Sequence, residues 1–176
     1  MQYRIIGDTM PAVEVLFDAP GESMYTQSGG MAWMSDGIFM DSNMRGGLGK
    51  SIGRMFSGES LFMATYKAER AGSMVAFAST VAGEVLPVDV GANGGMICQK
   101  GAFLCAQESV NLNVTFTKKF SAGLFGGDET VKGLKNIFMG GEGLFLTKLT
   151  GPGKVILQTQ NFNEFAGRII RMVPSR

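Results

Sequence analysis

Histidine is absent from the 176 residues. That single absence removes Ser-His and Cys-His nucleophile pairs, imidazole metal sites and imidazole proton shuttles together. Cysteine occurs twice, at Cys98 and Cys105, too few for a disulfide scaffold and in keeping with free thiols in a reducing compartment. A hairpin turn centred on Gly101-Ala102 would set the two thiols across from each other on paired strands, where oxidation outside the cell can link them. An excess of one charge is also missing: 16 basic residues meet 15 acidic ones, a formal charge of +1 with no long run of either sign. The chain as a whole therefore lacks the footprint of a nucleic-acid or anionic-membrane binder. No apolar run approaches the roughly 18 residues of a spanning helix, and Met1-Gln-Tyr-Arg-Ile-Ile-Gly-Asp carries charge where a secretory signal needs an apolar stretch. A cytoplasmic protein without a transmembrane segment is expected.

What is present is 45% hydrophobic residues and 26 glycines, the composition of a packed body rather than of a disordered chain. The glycines separate short β-rich runs, as turn residues do. Val13–Phe17, Ser23–Gln27, Met31–Met34, Ile38–Met40, Leu61–Tyr66 and Met74–Ala78 have strand length and strand composition. So do Val85–Val90, Gly95–Cys98, Ala102–Cys105, Val110–Thr117, Gly143–Leu149 and Lys154–Thr159. Helix is expected only over Ser51–Met55 and Phe162–Arg171. The fold class is all-β: repeated β-hairpin units forming a β-sandwich or a short double-stranded β-helix.

Two half-units recur. Pro20-Gly-Glu-Ser-Met-Tyr-Thr with Gly29-Gly-Met-Ala-Trp-Met and Gly37-Ile-Phe-Met returns as Ala82-Gly-Glu-Val-Leu-Pro-Val with Gly94-Gly-Met-Ile-Cys-Gln and Gly101-Ala-Phe-Leu. Met55-Phe-Ser-Gly-Glu-Ser-Leu-Phe-Met with Gly72–Ser79 returns as Phe138-Met-Gly-Gly-Glu-Gly-Leu-Phe-Leu with Gly153–Thr159. A further copy of the second half-unit begins at Leu124-Phe-Gly-Gly and breaks off after Asp128. The period of these copies implies that roughly sixty residues, about one repeat, are missing between Gly127 and Lys132. One domain over 1–176 is expected, with repeat one at about 13–80, a hybrid second repeat at about 82–160 and a tail over 161–176.

The phrases Arg54-Met-Phe-Ser-Gly-Glu-Ser-Leu-Phe, Lys119-Phe-Ser-Ala-Gly-Leu-Phe-Gly-Gly and Val131-Lys-Gly-Leu-Lys-Asn-Ile-Phe-Met-Gly-Gly-Glu-Gly-Leu-Phe resemble the AIM24 family. Leu149-Thr-Gly-Pro-Gly-Lys-Val-Ile-Leu-Gln-Thr extends the likeness. The resemblance implies a β-structured protein of three repeats, similar in fold to the tryptophan RNA-binding attenuation protein, in which three such chains close a ring. Eukaryotic relatives are mitochondrial and linked to inner-membrane organisation; this chain has no Arg-rich amphipathic presequence and reads as bacterial. It departs from the family pattern after Gly127, where the glutamate, hairpin and next half-unit of the pattern are not found.

Four glutamates recur in Gly-Glu pairs: Glu22, Glu59, Glu84 and Glu142. Converging carboxylates would suit acid-base chemistry or a hard cation, but residues repeated at equivalent turns are spread around a body, so turn or interface positions are the expectation. Glu59 and Glu142 are the two to test for an enzyme. Arg45-Gly-Gly-Leu-Gly-Lys-Ser matches the end of a phosphate-binding loop, yet Met44 stands where the pattern needs glycine. Trp33, Tyr25 and Phe39 with Arg45 and Lys50 form a sparse set for stacking single-stranded nucleic acid. Among the 13 Met and 13 Phe, Met31, Met34, Phe39, Met40, Phe56, Phe62, Met63 and Phe77 sit in strand patterns that point to core packing. Arg168, Arg171 and Arg176 with Ile169, Ile170 and Met172 make a weakly basic amphipathic tail, a candidate for peripheral membrane or partner contact. No catalytic residue, metal or cofactor is expected. The expected function is a non-enzymatic homo-oligomeric scaffold or partner-binding protein, a trimer by the family resemblance; the alternative is a ring that binds a small ligand or single-stranded nucleic acid.

Overall fold

A computed structural model describes residues 1–27, 29–42, 63–92, 94–116, 145–160, 162–170 and 172–173. Glu59, Glu142, the 45–51 glycine loop, the 51–55 helix expectation, Phe56, Phe62 and the 127–132 junction lie outside these residues. The strands are β1 (Gln2–Ile6), β2 (Ala12–Leu16), β3 (Ser23–Gln27), β4 (Met31–Met34), β5 (Ile38–Asp41), β6 (Met63–Ala68) and β7 (Met74–Ala78). They continue as β8 (Val85–Val90), β9 (Gly95–Gln99), β10 (Phe103–Gln107), β11 (Asn111–Phe116), β12 (Phe145–Thr150) and β13 (Gly153–Gln158), and one helix follows, α1 (Phe162–Ile170).

All described pairings are antiparallel, and they form three sheets: β1-β2-β7-β4, β5-β6-β3-β10-β13-β8 and β11-β12-β9. The six-stranded sheet lies in the middle. Its strands alternate side chains between two faces, and each face meets a smaller sheet. On one face Met24, Tyr66, Leu104 and Ile156 pack with Val13, Val15, Phe17, Val75 and Phe77 of the four-stranded sheet. On the other, Tyr25, Phe103, Val155 and Leu157 pack with Leu149, Met96 and Leu112 of the three-stranded sheet. Burial on both faces explains why β10, Phe-Leu-Cys-Ala-Gln, and the Val155-Ile-Leu core of β13 read as short apolar runs without alternation, and why the polar residues of β3 are buried too.

Two hydroxyls carried into these layers find partners, whereas Ser73 Oγ and Thr147 Oγ1 have none. Tyr25 Oη donates to the Val110 carbonyl at 2.9 Å, and Thr26 Oγ1 donates to the Leu104 carbonyl at 2.5 Å. Satisfied in this way, a buried hydroxyl costs little.

Strands of similar sequence are not all placed alike. β3 and β8 both belong to the six-stranded sheet, whereas β6 lies there and its sequence counterpart β12 lies in the three-stranded sheet. β11 stands between β10 and β12, and no strand is described between β5 and β6.

The two cysteines do not face each other across a hairpin. Cys98 is on β9 of the three-stranded sheet, opposite Thr147, and Cys105 is on β10 of the six-stranded sheet, opposite Ile156 and Thr26. The short 3₁₀ turn Lys100–Ala102 carries the chain from one layer to the next instead of folding a two-stranded ribbon. Both thiols are free, and Cys105 packs in the first core while Cys98 packs against the second.

Candidate functional site

The chain passes between two layers at Ser35-Asp36-Gly37, leaving β4 at the edge of the four-stranded sheet and β5 at the edge of the six-stranded sheet. Gly37 makes this crossing possible. Its φ is +81°, and a Cβ there would lie 2.6 Å from Arg70 Nε and 2.9 Å from Ser73 Oγ, so any L-residue would be strained and crowded. Among the described residues each of the two strands has a hydrogen-bonded neighbour on one side only.

Register decides what this edge presents. Met31 pairs with Phe77, but Trp33 pairs with Ala76 and Met34 with Val75. The extra residue is a β-bulge, and it turns Trp33 away from the core onto the outer face. That face is crossed by the row Arg4, Glu14, Ala76 and Trp33, with Arg4 and Glu14 ion-paired. On β5, Met40 pairs with Tyr66 and Phe39 with Lys67. Met34 and Met40 thus lie on the sides of their sheets that face the first core, at its open margin, while Trp33 lies on the outer side of its sheet and Phe39 on the second-core side of its own, at the sheet's edge. All four are exposed, Phe39 to 55%. The result is an apolar stripe over the edge of two stacked sheets. The core positions expected for Met34, Phe39 and Met40 are not taken up within this chain, whereas Met63 and Phe77 are buried and Met31 packs partly against the first core.

A second feature is a cleft of about 180 Å³ at the end of the six-stranded sheet where β3 and β13 finish and β10 begins. Thr26, Gly30, Phe103, Gln158 and Phe162 are among its lining residues. Gln158 is buried; its Nε2 donates to the Gly101 carbonyl at 2.7 Å, and its Oε1 accepts no hydrogen bond. The lining named in sequence terms is neutral throughout, so the cleft suits a small uncharged molecule that brings a donor. The sequence gives no warning of it, because its parts come from the ends of four separate strands and one helix.

The described glutamates do not converge. Glu22 Oε2 accepts from the backbone amides of Asp18 at 2.7 Å and Ala19 at 3.4 Å, and Oε1 accepts from the Met1 amine at 3.2 Å. That amine is held above its ordinary pKa, chiefly by its bond to Asp18. Glu84 is exposed and works through its backbone, its N–H donating to Thr159 Oγ1 at 2.8 Å. Glu22 precedes β3 and Glu84 precedes β8, and the three antiparallel steps from β3 through β10 and β13 to β8 put these starts at opposite ends of the sheet. Among the described residues no group of three His, Cys, Asp or Glu side chains is placed to hold a metal. The stacking set is not assembled either: Tyr25 is fully buried, and Arg45 and Lys50 lie outside the described residues. No described helix is long and apolar enough to cross a membrane.

Comparison with known proteins agrees with this architecture. A Streptococcus pyogenes protein of known crystal structure superposes with a TM-score of 0.57, covering 98% of this chain and 99% of that chain at 19% identity, a likeness of fold. No curated protein matches. The family model described as mitochondrial biogenesis AIM24 matches residues 3–131, from β1 through β11. The chain therefore belongs to the AIM24 family.

Proposed function

We propose that the protein is a non-enzymatic, homo-oligomeric scaffold or partner-binding protein of the bacterial cytoplasm, assembled by closing the open edge at β4 and β5 against another copy. The observation that carries this reading is the stripe Trp33, Met34, Met40 and Phe39, which runs over the margin of the first core on two strands that stand at the ends of their sheets among the described residues. Isolated exposed apolar residues are ordinary, but a contiguous stripe on a strand edge is a surface to be covered. A copy seated there would bury the four side chains and continue one or both sheets. The expectation of a trimer, and of a ring like that of the tryptophan RNA-binding attenuation protein, comes from the family resemblance; an edge that joins a non-identical surface of the next copy closes such a ring when the rotation allows it.

Amide hydrogen exchange of the parent chain and of Trp33→Glu tests the reading. Slow exchange over 31–34 and 38–41 in the parent, lost in the variant while β2 and β7 stay protected, is the expected result. Equally fast exchange at those strands in both proteins refutes it.

A second reading, a binder of a small neutral ligand, is favoured by one observation, the unpartnered buried Oε1 of Gln158, a residue that lines the cleft. A buried acceptor without a donor is costly, and a ligand N–H would satisfy it. Benzamide is a suitable probe: it should raise the melting temperature of the parent chain and leave Gln158→Leu unchanged. An equal response of the two proteins removes this reading.

A further inference from the structure

Asp36 and Gly37 form the turn at the crossing from β4 to β5. Asp36 is exposed, and among the described residues its carboxylate has no hydrogen-bond or ion-pair partner. The Gly37 carbonyl accepts from the Glu69 amide at 2.9 Å, but the Gly37 N–H donates to nothing. A free carboxyl therefore precedes a free amide, and the residue that carries the amide has no Cβ to shield its nitrogen. The other described aspartates differ. Asp18 holds the Met1 amine and Asp89 holds Lys154 Nζ. Asp8 and Asp41 precede Thr9 and Ser42, whose side chains crowd the nitrogen that follows.

This pair of groups is chemically reactive. The Gly37 nitrogen can bond to Asp36 Cγ and close a five-membered succinimide, while the carboxyl hydroxyl leaves as water with the amide proton. Water then opens the ring. Attack at the former main-chain carbonyl of Asp36 leaves the chain running through Cβ and Cγ, with the α-carboxylate as a side branch, and the water lost in the first step is regained in the second. We infer that Asp36-Gly37 is a modification site at which isoaspartate forms without an enzyme, and that the modification releases the edge formed by β4 and β5. The crossing is anchored on both sides of the new link. Ser35 N–H donates to the Met74 carbonyl and Met74 N–H donates to Ser35 Oγ, each at 2.9 Å, while Gly37 is tied to Glu69. An extra backbone atom between Ser35 and Gly37 lengthens a link whose span these bonds fix, so an anchor is lost. Gly37 has no room to absorb the change, because Arg70 and Ser73 close around it.

The inference does not need the oligomer proposed above, so the test uses the full chain both as parent and as Trp33→Glu, in which that edge is open. Both are kept at 37 °C and pH 6 in water enriched in oxygen-18. Each aspartate is then read by electron-transfer mass spectrometry, in which isoaspartate gives its own backbone fragments and ring opening adds one heavy oxygen. Asp36 should convert at least about tenfold faster than Asp8, Asp18 and Asp89 of the same sample, since only it meets an unshielded nitrogen. The converted fraction should exchange its amides faster over 31–34 and 38–41 than the unconverted fraction. Asp36→Glu would need a six-membered ring, and should show neither conversion at that position nor the change in exchange. Equal conversion at Asp36 and at the three comparison residues in Trp33→Glu overturns the inference. So does a converted fraction that exchanges like the unconverted one.

Discussion

Trp33 sits opposite Ala76, one residue away from the register that Met31 and Phe77 begin. An unbroken ladder would have paired Trp33 with Val75 and sent the indole into the first core. The single extra residue in β4 exchanges an inward tryptophan for an outward one, and it is the reason the edge of this protein is apolar on its outer side as well as at its core margin.

The two aromatic residues of that neighbourhood should differ sharply in what they contribute to stability. Phe77 is fully buried and meets Tyr66 edge to face, with ring centroids 5.7 Å apart, so Phe77→Ala should cost about 3–5 kcal/mol. Trp33 is 40% exposed, and in the isolated chain Trp33→Ala should cost about 1 kcal/mol. Urea unfolding at a concentration where the chain is monomeric separates the two values.

Tyr25→Phe removes the donor to the Val110 carbonyl and leaves that acceptor buried. The ring keeps its stacked contact with Phe103, centroids 5.6 Å apart, so the loss reports the hydroxyl alone. About 1–2 kcal/mol is expected in urea unfolding.

Burial pushes the Cys98 thiol up to about 11, and pushes the Cys105 thiol and the Tyr66 hydroxyl up as well. All three stay neutral in the folded chain at a pH where the unfolded chain has begun to ionise. Below the ordinary thiol value of 9.0 both states are protonated and the stabilisation is complete. As pH rises above it the unfolded state releases protons first, and stability falls. The urea midpoint should decline slightly between pH 7 and 8.5, where the Met1 amine ionises first in the unfolded chain, and more steeply beyond pH 9, with a shallower decline above pH 9 in Cys98→Ala.

Gly37→Ala forces a side chain into a left-handed backbone conformation and against Arg70 and Ser73. A cost of about 1–3 kcal/mol is expected, accompanied by faster exchange in β4 and β5, since the crossing between their sheets depends on this residue.

Most strands were legible because turn glycines bracket them: Ser23–Gln27, Met31–Met34, Met74–Ala78 and Val85–Val90 fall where composition puts them. β1 (Gln2–Ile6) was not, because Gln2-Tyr-Arg-Ile-Ile lies at a sheet edge with nearly every side chain exposed and shows neither alternation nor a continuous apolar run. The layers were beyond reach as well. Strand composition tells that β10 is buried but not that β9 leaves for another sheet, which is why Cys98 and Cys105 read as hairpin neighbours. The apolar stripe was misread for a related reason. Met34, Phe39 and Met40 have the composition of core residues, and only the bulge and the edge positions of β4 and β5 show that the described residues do not supply the other half of their core.

If a second copy supplies it, the solution mass of the parent chain by light scattering after size exclusion, at two concentrations and beside Trp33→Glu, will show it. A defined multiple of 18.8 kDa for the parent, three by the family resemblance, and a smaller species for the variant are the predicted results. A parent that elutes as a single 18.8 kDa chain at both concentrations would mean that no second copy covers the edge of β4 and β5.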